Sequence, residues 1–168
     1  MSDPNPILVA LDKIQAQRHG SFAIVTANAN KNYYAQLAAG GESGIYGEVV
    51  GNEYLEPADR LSNTQQEELR ERGWRGGGAE NWSKEWSDAS TPEARQRIAL
   101  DTLGALHKVY GASGEVRVEV HLEGPGAREA SQSLSESGIA PISTPGLPKA
   151  ILAAMVLGLV LLLVLLLI

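Results

Sequence analysis

The chain has 168 residues, no cysteine, and 20 acidic against 14 basic side chains, for a net charge of −6. That length bounds it to one modest domain with appendages, and the missing cysteine excludes a disulfide scaffold, a thiolate nucleophile and a zinc ribbon while fitting a reducing compartment. The basic residues are scattered without a run of Lys or Arg, which argues against nucleic acid or anionic lipid as the main partner.

In chain order, the start reads as no secretory signal, because no basic region precedes the first apolar run and Asp12 and Lys13 interrupt it. Asn5-Pro6 predicts a helix cap followed by proline at the first helical position, with Ile7, Leu8, Leu11 and Ile14 on one face and Gly20 at the end. Residues 21–27 (SFAIVTA) form an apolar strand, an Asn-rich turn leads to a second strand at 33–39, and the glycines at 40, 41 and 44 turn into a third at 45–50. Ser62-x-x-Gln65 is a capping box that opens a short helix closed by Gly73. Ser90-x-x-Glu93 opens a longer helix with Ile98, Leu103, Leu106 and Tyr110 on its apolar side and Gly111 at its end. Val116, Val118, Val120 and Leu122 then alternate strictly with Arg117, Glu119, His121 and Glu123, the clearest half-buried strand of the chain. The order α-β-β-β-α-α-β predicts an α+β domain over residues 1–123, a small antiparallel sheet packed by helices on one face.

The composition shifts at Gly124. Residues 124–148 are rich in Gly, Pro and Ser and poor in large apolar groups, too little to offset ordering entropy, so they read as a flexible tether. Its root-mean-square reach is about 25–30 Å. Residues 150–168 carry no charged or hydrogen-bonding side chain, and fourteen of these nineteen are Leu, Ile or Val. As a helix they span roughly 28 Å, close to the ~30 Å of a bilayer's hydrocarbon. The expectation is a single-pass tail anchor at 149–168 with the domain in the cytoplasm, and Lys149 on the flank agrees with the positive-inside bias. A buried core helix and a GPI-attachment signal are the competing readings. Ala150, Ala154 and Gly158 repeat along one helix face and would permit self-association.

Signals for catalysis are poor. His19, His107 and His121 form no HExxH arrangement, no G-x-S-x-G elbow is present, and neither Gly-rich stretch (40–44 or 76–78) has the context of a phosphate loop. No catalytic residue, metal ligand or cofactor is assigned. Asn81-Trp82-Ser83 formally matches a glycosylation acceptor, which a cytosolic domain would not use. The aromatics say more. Trp74, Trp82 and Trp86 crowd around the triple glycine in a stretch that otherwise reads as polar loop. Tryptophan is favoured at binding surfaces, and plugging the core or covering a sheet edge is the alternative use.

The segment GIYGEVVGNEYLEPADRLSNTQQEELRERGW, followed by ENWSKEW and a helix ending HKVYG, resembles the N-terminal domain of the TY-Chap proteins, which group with type III secretion chaperones and YbjN-like domains. Glu48, Val49, Val50 and Asn52 match the first part of the pattern, Leu69, Gly73 and Trp74 the middle, and Asn81 and Trp82 the third. The likeness covers roughly residues 5–120. It departs after Gly-Trp, where the family often has proline and this chain has Arg75-Gly76-Gly77-Gly78. The resemblance implies a bacterial, non-enzymatic, peptide-binding chaperone-like module acting in conflict or secretion-related systems. The expected function is therefore a membrane-tethered peptide- or protein-binding adaptor that takes a peptide at an open sheet edge. Trp82 and Trp86 are the expected contacts, with Trp74 and Asn52 as structural supports. A membrane-localised hydrolase or transferase, with Glu48 near Asn52 or His121 near Glu119 or Glu123, is one alternative, and an oligomeric membrane scaffold is another.

Overall fold

In the computed structural model, which describes residues 3–17 and 20–122, the first helix (α1, Asn5–Gln17) lies against an antiparallel sheet. The expected tether, the apolar span and its small residues Ala150, Ala154 and Gly158 lie outside the described residues, as do His19 and Glu123. Among the described residues no helix is long and apolar enough to cross a membrane. α1 begins one residue earlier than expected. The Asp3 carboxylate, not Asn5, accepts the first free amide (Asn5 N–H, 2.9 Å), and the Pro4 carbonyl takes those of Ile7 and Leu8 at 3.1 Å.

β1 (Phe22–Asn28), β2 (Tyr33–Gly40) and β3 (Gly44–Val49) form the expected meander. Two 3-10 turns follow, and then α2 (Asn63–Glu71). The Ser62–Gln65 capping box is present in both directions. At the far end the Gly73 amide bonds the Arg70 carbonyl (2.8 Å) and the Trp74 amide bonds Leu69 (3.0 Å). That pair is a Schellman closure, and Leu69 and Trp74, which it joins, are both buried.

The stretch after α2, expected as loop, is a hairpin: β4 (Arg75–Gly76) pairs with β5 (Trp82–Trp86). β5 in turn pairs along β3, so the sheet has six strands in the order β4-β5-β3-β2-β1-β6, where β6 is Arg117–His121. β5 escaped the sequence reading because its inward series is Trp82, Lys84, Trp86, and a lysine in the middle conceals the apolar period of two. The longer helix (α3, Pro92–Gly104) is capped by the Thr91 side chain, which accepts from the Ala94 amide at 3.1 Å, and not by Ser90. The Ser90 amide is already taken by Asp88, and Pro92 fits the first helical turn after Thr91. α3 widens into a π turn at Ala105–Val109, which swings Tyr110 inward to donate to the Val50 carbonyl and to pack edge-on against Tyr33.

Register fixes which side chains meet the helices. Val118, Val120, Ala23, Val25, Ala35, Leu37, Ile45, Val49 and Trp82 share the helix-covered face, and those on the four central strands are fully or nearly fully buried. Phe22, Ile24, Gln36, Ala38, Tyr46, Glu48 and Ser83 share the other face and are half-buried. α1 is tied to α3 by the Arg95–Asp12 ion pair (2.6 Å) and to the β2–β3 turn by Gln15, whose amide reaches the Ser43 and Gly44 carbonyls at 3.2 Å.

Candidate peptide-binding edge

Two different devices place the three tryptophans at the β5 end of the sheet. Trp74 is delivered by the closure of α2, while Trp82 and Trp86 point the same way from alternate positions of β5. Trp74 and Trp86 meet edge to face, centroids 5.6 Å apart at 86°. Trp86 lies flat over Gly47 of β3, where a Cβ would come within 2.6 Å of its ring, so glycine leaves the space the indole fills. Trp82 is treated likewise by Gly77, where φ is +81° and a Cβ would come within 2.0 Å of the ring, so the position favours glycine.

Cations complete the cluster. The Lys84 ammonium sits 5.4 Å from the Trp86 ring centre and 6.0 Å from that of Trp74, and it bonds the Arg72 carbonyl and the Asp101 carboxylate, the latter at 2.5 Å. Its methylene stem covers apolar surface while its charge is matched, which is how a lysine occupies an inward strand position. The Arg70 guanidinium lies 5.2 Å from the Trp82 ring centre. Arg72 pairs with Glu68 at 2.8 Å and, with Thr64, Glu67 and Glu71, lines a shallow open hollow beside the cluster that is mainly acidic.

The sequence-expected site residues therefore fall into different environments. Trp82 is 0% exposed and Trp74 1%, whereas Trp86 is partly exposed at the end of β5. The indole N–H groups of both Trp74 and Trp82 are buried without a hydrogen-bond partner. Asn52 lies apart from the cluster and clamps the loop before α2: its amide donates to the Leu61 carbonyl (2.9 Å) and its carbonyl accepts the Leu61 N–H (2.7 Å). Lys84, Asp101, Arg70, Gly47 and Gly77 were missed from sequence. The Trp-x-Lys-x-Trp alternation was the available signal for the first of them.

β4 covers β5 only at Ser83 and Trp82, so the outer edge of Lys84, Glu85 and Trp86 has no strand partner among the described residues. Glu85 is exposed and Arg75 is exposed beside it.

The two places named for a hidden catalytic centre are organised differently. Glu48 meets Asn81 and Tyr46, not Asn52: one oxygen accepts from the Tyr46 hydroxyl (2.8 Å) and the other from the Asn81 amide (3.3 Å). Asn81 also accepts the Gly51 N–H at 2.9 Å, so this network locks the β3 exit to the β4–β5 turn. Burial, and then the negative charge of Glu48, push the Tyr46 phenol well above its ordinary range. His121, expected on the exposed phase of its strand, stacks on Phe22 at 4.6 Å with its Nε2 buried, because the two residues are directly opposed in the β1–β6 register. Glu119 is engaged by Arg117 at 2.9 Å. Among the described residues no group of His, Asp or Glu is placed to hold a metal.

Residues 10–123 match the family model TY-Chap3, described as T3SS (YopN, CesT) and YbjN peptide-binding chaperone 3. No curated protein and no solved structure matches the chain.

Proposed function

Because the chain belongs to the TY-Chap3 family of peptide-binding chaperones, we propose that its domain holds an extended peptide along the unpaired stretch of β5. Membership implies a chaperone-like peptide binder, and a non-enzymatic role is our reading of it. The observation that supports this location is the two-residue length of β4, which leaves the outer edge of Lys84–Trp86 without a strand partner among the described residues, beside the one tryptophan of the cluster with exposed surface. A peptide strand added there would gain main-chain hydrogen bonds from alternate residues of this stretch, the others being turned to β3, and lay an apolar side chain on Trp86. Trp82 acts from below, holding β5 on the core, and Trp74 fixes the tilt of Trp86. The acidic hollow of α2, which shares Arg72 with the cluster, favours a basic residue flanking that apolar anchor.

The test uses the full chain in detergent on an array of immobilised extended peptides, each an apolar anchor flanked by lysines. Trp86→Ala should lose binding by about tenfold or more while the domain stays folded, with a lower unfolding temperature from the lost packing on Trp74. Equal binding by wild type and W86A would remove this edge from the reading.

The proposal extends to place. A domain followed by a Gly/Pro/Ser-rich segment and nineteen residues without a polar side chain suits tethering to a membrane with the peptide site on the cytosolic side. Deleting residues 149–168 should move the protein from the membrane fraction to the soluble fraction with its peptide binding kept. Retention in membranes after the deletion would defeat the tether.

A further inference from the structure

The opposite edge of the sheet carries a second interaction surface. β6 pairs with β1 on one side, and on its other side it has no strand partner among the described residues. We propose that this edge pairs antiparallel with β6 of a second copy of the chain, about a twofold axis through Val118. The sequence around it reads Glu115-Val116-Arg117-Val118-Glu119-Val120-His121. In antiparallel pairing directly opposed residues have side chains on the same face. An axis at Val118 sets Arg117 against Glu119 of the second copy and Glu115 against its His121, each twice. On the helix-covered face it sets Val118 against Val118 and Val116 against Val120.

Other registers are worse. Centring on Glu119 opposes glutamate to glutamate, and centring on Arg117 opposes arginine to arginine and Glu115 to Glu119, arrangements that destabilise cross-strand pairs. A slip by one residue puts valines opposite charges and turns the second copy's helices to the other side of the sheet. Centring on Val120 opposes Glu119 to His121, which is stacked on Phe22, and so gives up the arginine–glutamate pair at the centre of the interface. The Val118 register uses the Arg117–Glu119 complement already present within one strand, where the two side chains lie 2.9 Å apart and are largely exposed.

One added strand pair alone is a small interface, and the helix layer supplies more. α1 packs over β6, with the side bearing Asp12 and Gln15 turned to α3 and the β2–β3 turn. Its opposite flank, Pro6, Lys13 and Gln17, is exposed and lies toward the β6 side. Val9, next to that flank, is one of two exposed large apolar residues among those described, at 46%. In the paired sheet both α1 helices lie on the same face with these flanks turned toward each other.

The absence of cysteine from the chain makes the register directly readable. Directly opposed residues of an antiparallel pair stand roughly 4.5–5.5 Å apart at Cα, within disulfide range. In the full chain in detergent, Val118→Cys should oxidise to a covalent dimer. Val116→Cys and Val120→Cys should each remain monomeric alone and should link to each other when mixed. Adding Glu119→Arg to V118C should cut the dimer yield by about tenfold, and adding Arg117→Glu to that variant should restore it. A monomeric V118C, or V116C or V120C that links to itself as readily, would overturn the proposal. So would a yield indifferent to the charge reversal.

Discussion

The two edges of the sheet invert the usual relation between pattern and burial. β6 has the most regular alternation in the chain, yet none of its residues is fully buried. β5 has an alternation broken by lysine, yet Trp82 at its start is 0% exposed. A period of two reports only which side chains share a face. Depth is set by what lies above that face, and above β5 lie Trp74 and, from the end of α2, Arg70 and Arg72, whereas β6 has α1 on one side and no strand beyond it among the described residues. The hairpin edge is therefore built as a rigid support with a short exposed margin, and the β6 edge as an accessible strip of matched charge.

If that contrast is right, the largest effect of any single change comes from beneath the hairpin. Trp82→Ala should destabilise the domain by about 3–5 kcal/mol in denaturant unfolding, the cost of an emptied aromatic site. Gly77→Ala should act in the same direction, since its Cβ would sit 2.0 Å from the Trp82 ring on a backbone with φ of +81°. Trp82→Phe separates shape from polarity. It leaves a smaller void and removes a buried N–H that has no partner, two effects of about 1–3 kcal/mol and opposite sign, so its stability should stay within about 1 kcal/mol of wild type. A Trp82→Ala variant as stable as wild type would mean that the hairpin is not part of the core.

The same contrast explains what could be read in the sequence. Capping chemistry was legible where the capping side chain has one available partner, as at Ser62–Gln65, and misread at Ser90, where Asp88 competes for the amide and Thr91 precedes the proline. The meander and β6 were legible because each inward residue is apolar. β5 was hidden because Lys84 is neutralised by Asp101, a partner 17 positions away that periodicity cannot reveal. The motif residues Glu48, Asn52, Leu69, Gly73, Trp74, Asn81 and Trp82 could be identified as a set, but not as the internal bracing that most of them provide. That role depends on contacts such as Asn81 with Gly51 and Asn52 with Leu61, which form only after folding. Of the candidate contacts, only Trp86 retains surface for a ligand, and its exposure depends on how short β4 is.

An intermediate effect should appear at high pH, where burial raises the phenols of Tyr33 and Tyr110 as well as those nearer the hairpin. Tyr34 and Tyr46 lie on β2 and β3, and burial raises both phenols above the usual value near 10. A raised folded pKa means that the native state holds its proton while the unfolded chain releases it. The stabilisation is complete below pH ~10 and is lost as pH climbs from there through the folded pKa. Each fully buried phenol would cost up to about 1.4 kcal/mol per pH unit, and Tyr46, being partly exposed, less. All three tryptophans of the chain lie at this edge, so their emission reports on it alone. Emission should shift to the red on alkaline titration, and Tyr46→Phe should move that transition upward. A transition unchanged by Y46F would detach the tyrosine network from the hairpin.

The smallest expected effect lies at the other edge and is the most discriminating. Arg117 and Glu119 are 75% and 44% exposed, and an ion pair in that setting contributes only about 0–0.5 kcal/mol. Arg117→Ala should therefore leave the unfolding free energy of dilute protein unchanged within that range. Pairing of two β6 edges changes the expectation at higher concentration, because an association that occurs only between folded copies adds stability by mass action. Wild-type unfolding should then move to higher denaturant as protein concentration rises, and Arg117→Ala, which removes two cross-copy charge pairs per dimer, should flatten that dependence. The dilute limit and the slope with concentration thus separate the two roles of one arginine. A loss in R117A that is large and independent of concentration would instead make β6 part of the rigid core, and the contrast between the two edges would fail.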